Sequence, residues 1–229
     1  MTRTDITFAP ACLTALCCFV SLLGSQSIEA EISEATPDTK LPEELVEPAR
    51  KAAEAFSRQD WAEARKLYEE IVAKAPGNSL MLSNLGSALF QQGNFKEAVT
   101  HLAKAVAANP KLIHARITLG LSHHYSGDTF LAISELARAV HEKPDDFRAR
   151  SYFAIVLREN GWPDAAESQL LKAVELNPRF ADAHYNLAVI YFERNPPALE
   201  LVRRHYFKSV EMGAPRDQEI ENALKNKDD

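Results

Sequence analysis

The sequence predicts an all-α fold made of repeated helical hairpins, and three observations lead to that prediction. Prolines, alanines, and pairs of a large apolar residue followed by a tiny one each recur at the same interval along the chain. The prolines are Pro76, Pro110, Pro144 and Pro178; the alanines are Ala64, Ala98, Ala132 and Ala166; the pairs are Leu85-Gly86, Leu119-Gly120, Phe153-Ala154 and Leu187-Ala188. Because several registers share one period, coincidence is excluded. This period of about 34 residues is typical of helix–turn–helix solenoids.

The unit at residues 79–112 shows how each repeat is built. Apolar residues at helical spacing predict an amphipathic first helix followed by a second one. Those of the first helix are Leu82, Leu85, Leu89 and Phe90, and those of the second are Ala98, Leu102, Ala105 and Val106. The second helix is expected to end at Asn109-Pro110, because a residue that precedes proline is disfavoured in the helical region.

The turn between the two helices has its own pattern. Gly93 is expected to close the first helix, since glycine tolerates the left-handed conformation on which helices often end. Asn94 is expected to cap the second helix, with Glu97 completing a capping box. Asp60 and Glu63 have the same spacing in the first unit, so we expect the same cap there.

The tiny residues of the repeated pairs have a packing explanation. We expect each of them to lie where the two helices of a hairpin approach most closely, facing the periodic alanine of the second helix. In the unit at residues 79–112 this contact joins Gly86 and Ala98. A larger side chain at either position is expected to push the helix axes beyond the usual 8–10 Å or so.

The two ends of the array depart from the pattern. Pro48 is tolerable only in the first turn of a helix, so the first helix is expected to begin near Glu47. Asn195-Pro196-Pro197 lengthens the turn of the fifth unit, whose second helix, at residues 199–212, is expected to run about two residues out of register. Residues 217–225 predict a short polar closing helix, since the last hairpin of an array has no neighbour on one side.

These motifs resemble the tetratricopeptide repeat. The signature of that family reads here as Leu82, Leu85-Gly86, Leu89, Ala98, Leu102, Ala105 and Pro110. The resemblance implies an α-solenoid of about five hairpins with a C-terminal capping helix. The solenoid is expected at residues 43–216, with units at 45–78, 79–112, 113–146, 147–180 and 181–216, followed by a capping helix and tail at 217–229.

The N-terminal segment, residues 1–30, predicts an export signal. Residues 6–24 carry no charge, and small residues such as Ser27 and Ala30 follow them. This pattern is typical of a cleaved secretory signal peptide. The alternative is an uncleaved anchor at residues 6–24, because such a segment is just long enough to span a bilayer. We therefore expect an exported protein, periplasmic or secreted, that contacts the membrane only if that segment is retained. Residues 31–42 are expected to form a flexible acidic linker.

Composition and motifs argue against enzymatic chemistry. The sequence shows no phosphate-binding glycine loop, no nucleophile elbow and no metal-ligand pattern, and its three cysteines all lie within residues 12–18. The formal net charge is −6 without a basic stripe, which argues against a nucleic-acid partner. We expect no enzymatic activity, no cofactor and no metal site.

The histidines are the residues most suggestive of a metal site. His114 and His124 lie about three helical turns apart, too far to share one ion. His123 and His184 fall on packing positions of the repeat. Structural or surface roles are therefore expected for all four.

The resemblance also implies where a ligand binds. In this family the first helices of the hairpins line a concave groove, and the inward positions here mix aliphatic, aromatic and basic residues. The implied groove residues are Phe90, His114, Ile117, Leu121, His124, Tyr125, Arg148, Ile155, Arg158, Tyr185, Val189 and Phe192. Such a surface suits an extended peptide or a partner helix. Ser83 and Ser87 stand where one subtype carries Lys and Asn to grip a C-terminal carboxylate, so that activity is not expected.

Two functions from different classes follow from these observations. The main expectation is a scaffold or adaptor in the cell envelope that binds a protein or peptide partner in its groove. The alternative is a membrane-tethered structural spacer without a dedicated groove ligand. A regulatory domain of an enzyme system is a third, weaker alternative. Capture of a partner that depends on the groove distinguishes the first function from the second.

Overall fold

The computed structural model describes residues 40–225, and within them the regular secondary structure consists of eleven α-helices and no strand. The helices are α1 (Glu43–Ser57), α2 (Trp61–Lys74), α3 (Ser79–Gln91), α4 (Phe95–Ala108), α5 (Ile113–Tyr125), α6 (Thr129–Glu142), α7 (Phe147–Glu159), α8 (Pro163–Leu176), α9 (Ala181–Glu193), α10 (Leu199–Glu211) and α11 (Gln218–Lys225). The all-α prediction is confirmed. The expected signal peptide or anchor at residues 1–30 and most of the expected linker at 31–42 lie outside the described residues.

The described residues fall into two compact units that are divided after Ser122, inside α5. In the first unit α1 packs on α2, α2 on α3, and α3 on α4. In the second unit each helix from α6 to α10 packs on the next one, and α9 also contacts α7. Helices therefore contact mainly their neighbours in the chain, as they do in repeat arrays. No helix within residues 40–225 combines the length and the hydrophobicity that a membrane crossing needs.

The second helices bury one stripe each, at the positions that the repeat predicts. The buried residues of this stripe are Ala98, Leu102 and Ala105 in α4, Ala132, Leu136 and Ala139 in α6, and Ala166, Leu170 and Ala173 in α8, all of them at most 1% exposed. Spacings of four and three residues place each set on one face of its helix. The repeat period of the sequence is therefore also the period of the core.

The predicted caps differ between the first two hairpins. Asp60 caps α2, because its side chain accepts a hydrogen bond of 3.2 Å from the backbone N–H of Glu63. Asn94 is the N-cap residue of α4, but its side chain makes no capping bond, so the capping box expected there is wrong. The Glu97 carboxylate instead accepts a hydrogen bond of 3.0 Å from the Arg65 guanidinium. Gly93 has φ of +76°, in the left-handed region expected of it.

The expected start of the first helix is also wrong. α1 begins at Glu43, four residues before the predicted position, and Pro48 lies inside it. Proline removes the bond that its own N–H would make to the carbonyl of Glu44. Glu44 is exposed to solvent, so water can hydrate that carbonyl, while Leu45 and Ala49 are buried and hold the helix in place.

The close helix contact at Gly86 exists, and the atoms that lie nearest to it belong to Leu102. Gly86 is buried, and a Cβ atom added to it would collide with Cγ of Leu102 and lie 2.8 Å from its Cδ2. Leu102 lies one helical turn after Ala98, the expected partner. The glycine therefore makes room for a leucine side chain.

The last hairpin is out of register, as predicted. The buried stripe of α4 consists of Ala98, Leu102 and Ala105, and that of α10 includes Val202, Tyr206 and Ser209. Three repeat periods after each residue of the α4 stripe lies the position where its counterpart in α10 is expected. Each residue of the α10 stripe lies two positions beyond that expected position. The turn before α10 has five residues, against three before α4, and this difference accounts for the shift.

Candidate functional site

Two first helices of the second unit form a continuous surface. α7 and α9 contact each other directly. Residues at spacings of three and four share one face of a helix. That face carries Arg148, Ser151, Tyr152, Ile155 and Arg158 on α7, and Asp182, Tyr185, Asn186, Val189 and Phe192 on α9. We refer to these ten residues as the α7–α9 face.

The twelve predicted groove residues are distributed over both units. Phe90, His114, Ile117 and Leu121 lie on α3 and α5 in the first unit, and the other eight lie in the second. The buried ones are Phe90 at 5% exposure, Ile117 at 5%, Leu121 at 2% and Ile155 at 7%. The partly exposed ones are His114, His124, Tyr125, Arg148, Arg158, Tyr185, Val189 and Phe192. The structure brings six of the twelve together on the α7–α9 face.

Arg158 belongs to a chain of ion pairs at the C-terminal ends of the first helices. Its guanidinium lies 2.7 Å from the Glu193 carboxylate and 3.7 Å from that of Glu159. The other oxygen of Glu159 lies 2.6 Å from Nε2 of His124. The side chains of His124, Arg158 and Glu159 are only 14–16% exposed. Arg158 is therefore engaged within the protein and helps to tie α7 to α9.

Sequence reasoning missed the acidic members of this chain. Glu159 and Glu193 are separated by one repeat period, so they occupy the same position in successive repeats. Glu159 directly follows the groove residue Arg158, and Glu193 directly follows Phe192. The repeat period is the feature of the sequence that distinguishes these two glutamates from other surface carboxylates. A search for repeated charge at this spacing would have found them.

Tyr185 is also engaged within the protein. Its hydroxyl donates a hydrogen bond of 2.8 Å to the Asp217 carboxylate, in the segment between α10 and α11. Its side chain nevertheless remains partly exposed. This bond fixes the direction of the phenol ring on the α7–α9 face.

The start of α7 is capped and carries a basic side chain. Asp146 accepts hydrogen bonds from the backbone N–H groups of Arg148, at 2.9 Å, and Ala149, at 3.0 Å. The guanidinium of Arg148 lies over the ring of Phe147, 4.6 Å from its centroid, in a cation–π contact. The Asp146 carboxylate is therefore satisfied by backbone donors, and Arg148 is oriented by an aromatic ring.

Tyr152 and Asp182 form an unsatisfied polar pair on the same face. The Tyr152 hydroxyl is buried and has no hydrogen-bond partner among residues 40–225. Burial raises the pKa of Tyr152, and the nearby Asp182 carboxylate raises it further. Burial also raises the pKa of Asp182. Each group is thus desolvated without a compensating partner in the described part of the chain.

Tyr152 is a further residue that the sequence interpretation missed. It stands at the same repeat position as Asn84, Thr118 and Asn186. A polar side chain recurs there in every one of the four first helices that carry the period. This recurrence of a polar side chain is the sequence feature that could have identified Tyr152 as a candidate site residue.

The histidines on packing positions are buried, as predicted. His123 is 9% exposed and His184 is 1% exposed. Nδ1 of His184 lies 2.9 Å from Nδ1 of His205, and its Nε2 lies 3.1 Å from the carbonyl oxygen of Pro178. Burial lowers the pKa of both rings, that of His205 to about 4. Within residues 40–225, no group of three or more His, Cys, Asp or Glu side chains is arranged to hold a metal ion.

Comparison with known proteins agrees with this architecture. A family model described as tetratricopeptide repeat matches residues 50–113 and 153–201. Residues of this chain are 32% identical over 87 positions to a mouse protein named "WD and tetratricopeptide repeats protein 1". That match covers 37% of this chain and 13% of the mouse protein, so it spans a small part of the relative.

Solved structures of low sequence identity share the fold. MamA residues 41 to the end, from Desulfovibrio magneticus RS-1, align with a TM-score of 0.64 at 20% identity, over 78% of this chain and all of that one. YrrB, described as a TPR protein with an unusual peptide-binding site, aligns with a TM-score of 0.58 at 21% identity, over 89% of this chain and 99% of its own. At these identities the likeness concerns the fold. The chain therefore carries tetratricopeptide repeats at residues 50–113 and 153–201, where the family model matches, and it shares its all-α repeat fold with these structures.

Proposed function

We propose that this chain is a non-enzymatic scaffold or adaptor of the cell envelope that binds an extended peptide or a helix of a protein partner on its first helices. The observation that carries the proposal is the α7–α9 face. Partly exposed aromatic, aliphatic and basic side chains lie there on the same helix faces as the Tyr152 hydroxyl, which lacks a hydrogen-bond partner among the described residues.

The chemistry of this face suits a protein ligand. Tyr185 and Phe192 supply aromatic surface, Val189 supplies aliphatic surface, and Arg148 supplies a cation, all partly exposed. Tyrosine and arginine are enriched among the residues that dominate binding energy at protein interfaces. Grooves lined by helices commonly hold a peptide or an amphipathic helix.

The tetratricopeptide repeats of the chain support the same proposal. Stacked helical repeats create extended binding surfaces, and their ligands are usually other proteins. YrrB, which shares the fold, is described as having a peptide-binding site. For this chain we propose that the first helices provide the binding surface.

Location in the envelope is proposed from the N-terminal sequence. Residues 6–24 are uncharged and are followed by small residues, as in a signal peptide. Measuring the intact mass of the protein from its native host tests this proposal. A mass that corresponds to a chain starting just after Ser27 or Ala30 supports export with cleavage. A species that retains Met1 and sediments with membranes supports the anchored alternative.

A selection from a random-peptide display library tests the binding function. The immobilised 229-residue chain should enrich specific peptides, and Arg148→Ala together with Phe192→Ala should weaken their binding by about tenfold or more, since truncating a binding hot spot costs roughly 2 kcal/mol or more. The matched control is Phe130→Ala, because Phe130 is 83% exposed on a second helix.

The control should bind the selected peptides as the wild-type chain does. Equal losses in the control and in the α7–α9 variant would contradict the proposed surface. Failure to enrich any peptide would favour the structural spacer over the scaffold.

A further inference from the structure

We propose that the α7–α9 face binds a cationic side chain of its peptide ligand, a lysine or an arginine, between the Asp182 carboxylate and the Tyr152 hydroxyl. This inference rests on the proposed binding function and specifies the chemistry of its ligand. It comes from two unsatisfied polar groups that the fold brings together from separate helices.

The Tyr152 hydroxyl is the first of these groups. Tyr152 is 5% exposed, and its hydroxyl is sealed from solvent without a hydrogen-bond partner among the described residues. Buried hydroxyls in proteins are nearly always paired. The other buried tyrosines of the second unit follow that rule, since Tyr191 donates to Glu167 and Tyr206 donates to Glu221. Tyr152 is therefore an exception that a ligand would remove.

The Asp182 carboxylate is the second group. It lies in the first turn of α9, where the helix dipole favours a negative charge. Among residues 40–225 its side chain has no hydrogen bond and no ion pair, and burial is the cause of its raised pKa. A desolvated carboxylate without a cation is unfavourable, and an approaching cation would compensate it.

The two groups lie on helices that contact each other. The negative charge of the Asp182 carboxylate raises the pKa of Tyr152. Asp146 also acts on that hydroxyl, but its carboxylate is occupied by two backbone N–H groups. The basic residue that acts on Tyr152, Arg148, lies over the Phe147 ring. The positive charge of Arg148 lowers the pKa of Tyr152. The pKa of Asp182 is raised by burial.

The charge left uncompensated at this position is therefore negative. An ammonium or guanidinium group fits it, because such a group brings several N–H donors to oxygen acceptors. A lysine or arginine also carries an aliphatic stem that can lie along apolar surface while its charged end reaches a polar site. Tyr185 and Val189 follow Asp182 along the same face of α9 and offer such surface.

The test uses peptides that the full chain selects from the display library. We expect the selected peptides to share a lysine or arginine, and replacing it with norleucine to lower the affinity for the wild-type chain about tenfold or more. In the Asp182→Asn variant, the lysine and norleucine peptides should bind nearly equally, since the isosteric amide removes only the charge. The thermodynamic cycle formed by the two peptides and the two proteins isolates this interaction.

Asp164→Asn is the matched control, because Asp164 also lies in the first turn of a helix but is exposed on α8. This variant should retain the preference for the lysine peptide. Melting curves of all variants establish that each one is folded. Tyr152→Phe should weaken the lysine peptide more than the norleucine peptide, since the phenylalanine has no oxygen to accept a hydrogen bond.

Carbon NMR of the Asp182 carboxyl group provides a readout that a structural role would not produce. Adding the lysine peptide should lower the pKa of Asp182, while the norleucine peptide should leave it high. Selected peptides without a basic residue, or a lysine preference that survives Asp182→Asn, would overturn the inference and leave the binding function standing. Enrichment of no peptide at all would overturn both.

Discussion

In the α3–α4 hairpin the two helices meet through a glycine and a leucine, whereas in the α9–α10 hairpin they meet through two histidines. Gly86 admits the side chain of Leu102, which is fully buried. His184 and His205 instead face each other through their Nδ1 atoms at 2.9 Å. The contact between Gly86 and Leu102 depends on the size of the side chain at residue 86. The contact between His184 and His205 depends on which ring nitrogens carry protons.

The histidine pair has one consistent arrangement of its protons. The lowered pKa of each ring favours its neutral form. In that form His184 donates from Nε2 to the Pro178 carbonyl, and its unprotonated Nδ1 accepts from Nδ1–H of His205. A proton added to Nδ1 of His184 would remove the acceptor. The apolar hairpin has no such dependence at its glycine–leucine contact.

The two hairpins also differ in how their turns set the register. Two extra residues before α10 move its buried stripe, so that Tyr206 takes the place that Leu102 has in α4. Tyr206 carries a hydroxyl, which accepts from the Asp217 N–H at 2.8 Å and donates to the Glu221 carboxylate at 3.1 Å. The last hairpin thereby gains polar links to the closing helix α11. The difference shows that one helical plan tolerates either an apolar or a polar interior.

The largest expected effect is that of Gly86→Leu. The new side chain would overlap Leu102, which is buried and cannot move aside, so we expect a loss of about 3 kcal/mol or more in the free energy of unfolding. Urea denaturation measures it. Gly77→Leu is the control, since no atom lies within 4 Å of a Cβ added there, and its effect should stay within about 0.5 kcal/mol. Equal losses at both glycines would disprove the close contact.

The next effect is a loss of stability in acid that originates in the α9–α10 hairpin. Unfolded histidine has a pKa of about 6.5, while that of folded His205 is about 4, so the unfolded state binds more protons between these values. Stability should therefore fall as the pH is lowered from about 6.5 to about 4, by at most about 1.4 kcal/mol per pH unit for this histidine.

His205→Gln tests the origin of that pH dependence. The amide can still donate a hydrogen bond to His184, but it does not titrate, so the slope of melting temperature against pH should become smaller. His141→Gln changes an exposed histidine on α6 and should leave the slope as it is in the wild-type chain. The same slope in all three proteins would assign the acid sensitivity to other groups.

A smaller effect is expected for the polar links of Tyr206. Tyr206→Phe keeps the ring and removes the bonds to Asp217 and Glu221, so we expect a loss of about 1 kcal/mol. Tyr152→Phe is the control within the same unit, because its hydroxyl has no partner to lose among the described residues. That change should be neutral or slightly stabilising in thermal melts. A larger loss for Tyr152→Phe than for Tyr206→Phe would contradict the two hydrogen-bond assignments.

The smallest effect concerns the caps of the second helices. α10 already begins after an alanine, Ala198, and Asn94 makes no capping bond at the start of α4. Asn94→Ala should therefore cost only a few tenths of a kcal/mol, whereas Asp60→Ala, which removes a capping bond, should cost about 1 kcal/mol. Chemical denaturation of both variants measures these losses of stability. A larger loss for Asn94→Ala than for Asp60→Ala would show that Asn94 caps α4 in solution.

The sequence by itself determined the hairpin plan of this protein. Glycines such as Gly93, and prolines such as Pro110 just beyond the helix ends, act within a few residues of chain. The helical spacing of alanines and leucines is equally local. These signals therefore predict most helix boundaries, the buried stripes and the two-residue shift of α10. Local signals were insufficient at Pro48, because the helix begins at Glu43, before the start near Glu47 that the proline predicts, and buried neighbours hold it in place.

Only the tertiary structure decided which side chains meet across helices. The atoms nearest to Gly86 across the hairpin belong to Leu102, and His184 pairs with His205 from the next helix. Arg158 and Tyr185 are groove residues by the resemblance, and in the structure they are bound to Glu193 and Asp217, acidic residues that are distant in sequence. Such contacts depend on how the helices pack and on which rotamers fit between them. A repeat period specifies the face of a helix on which a residue lies, but it does not specify the atom that the residue touches.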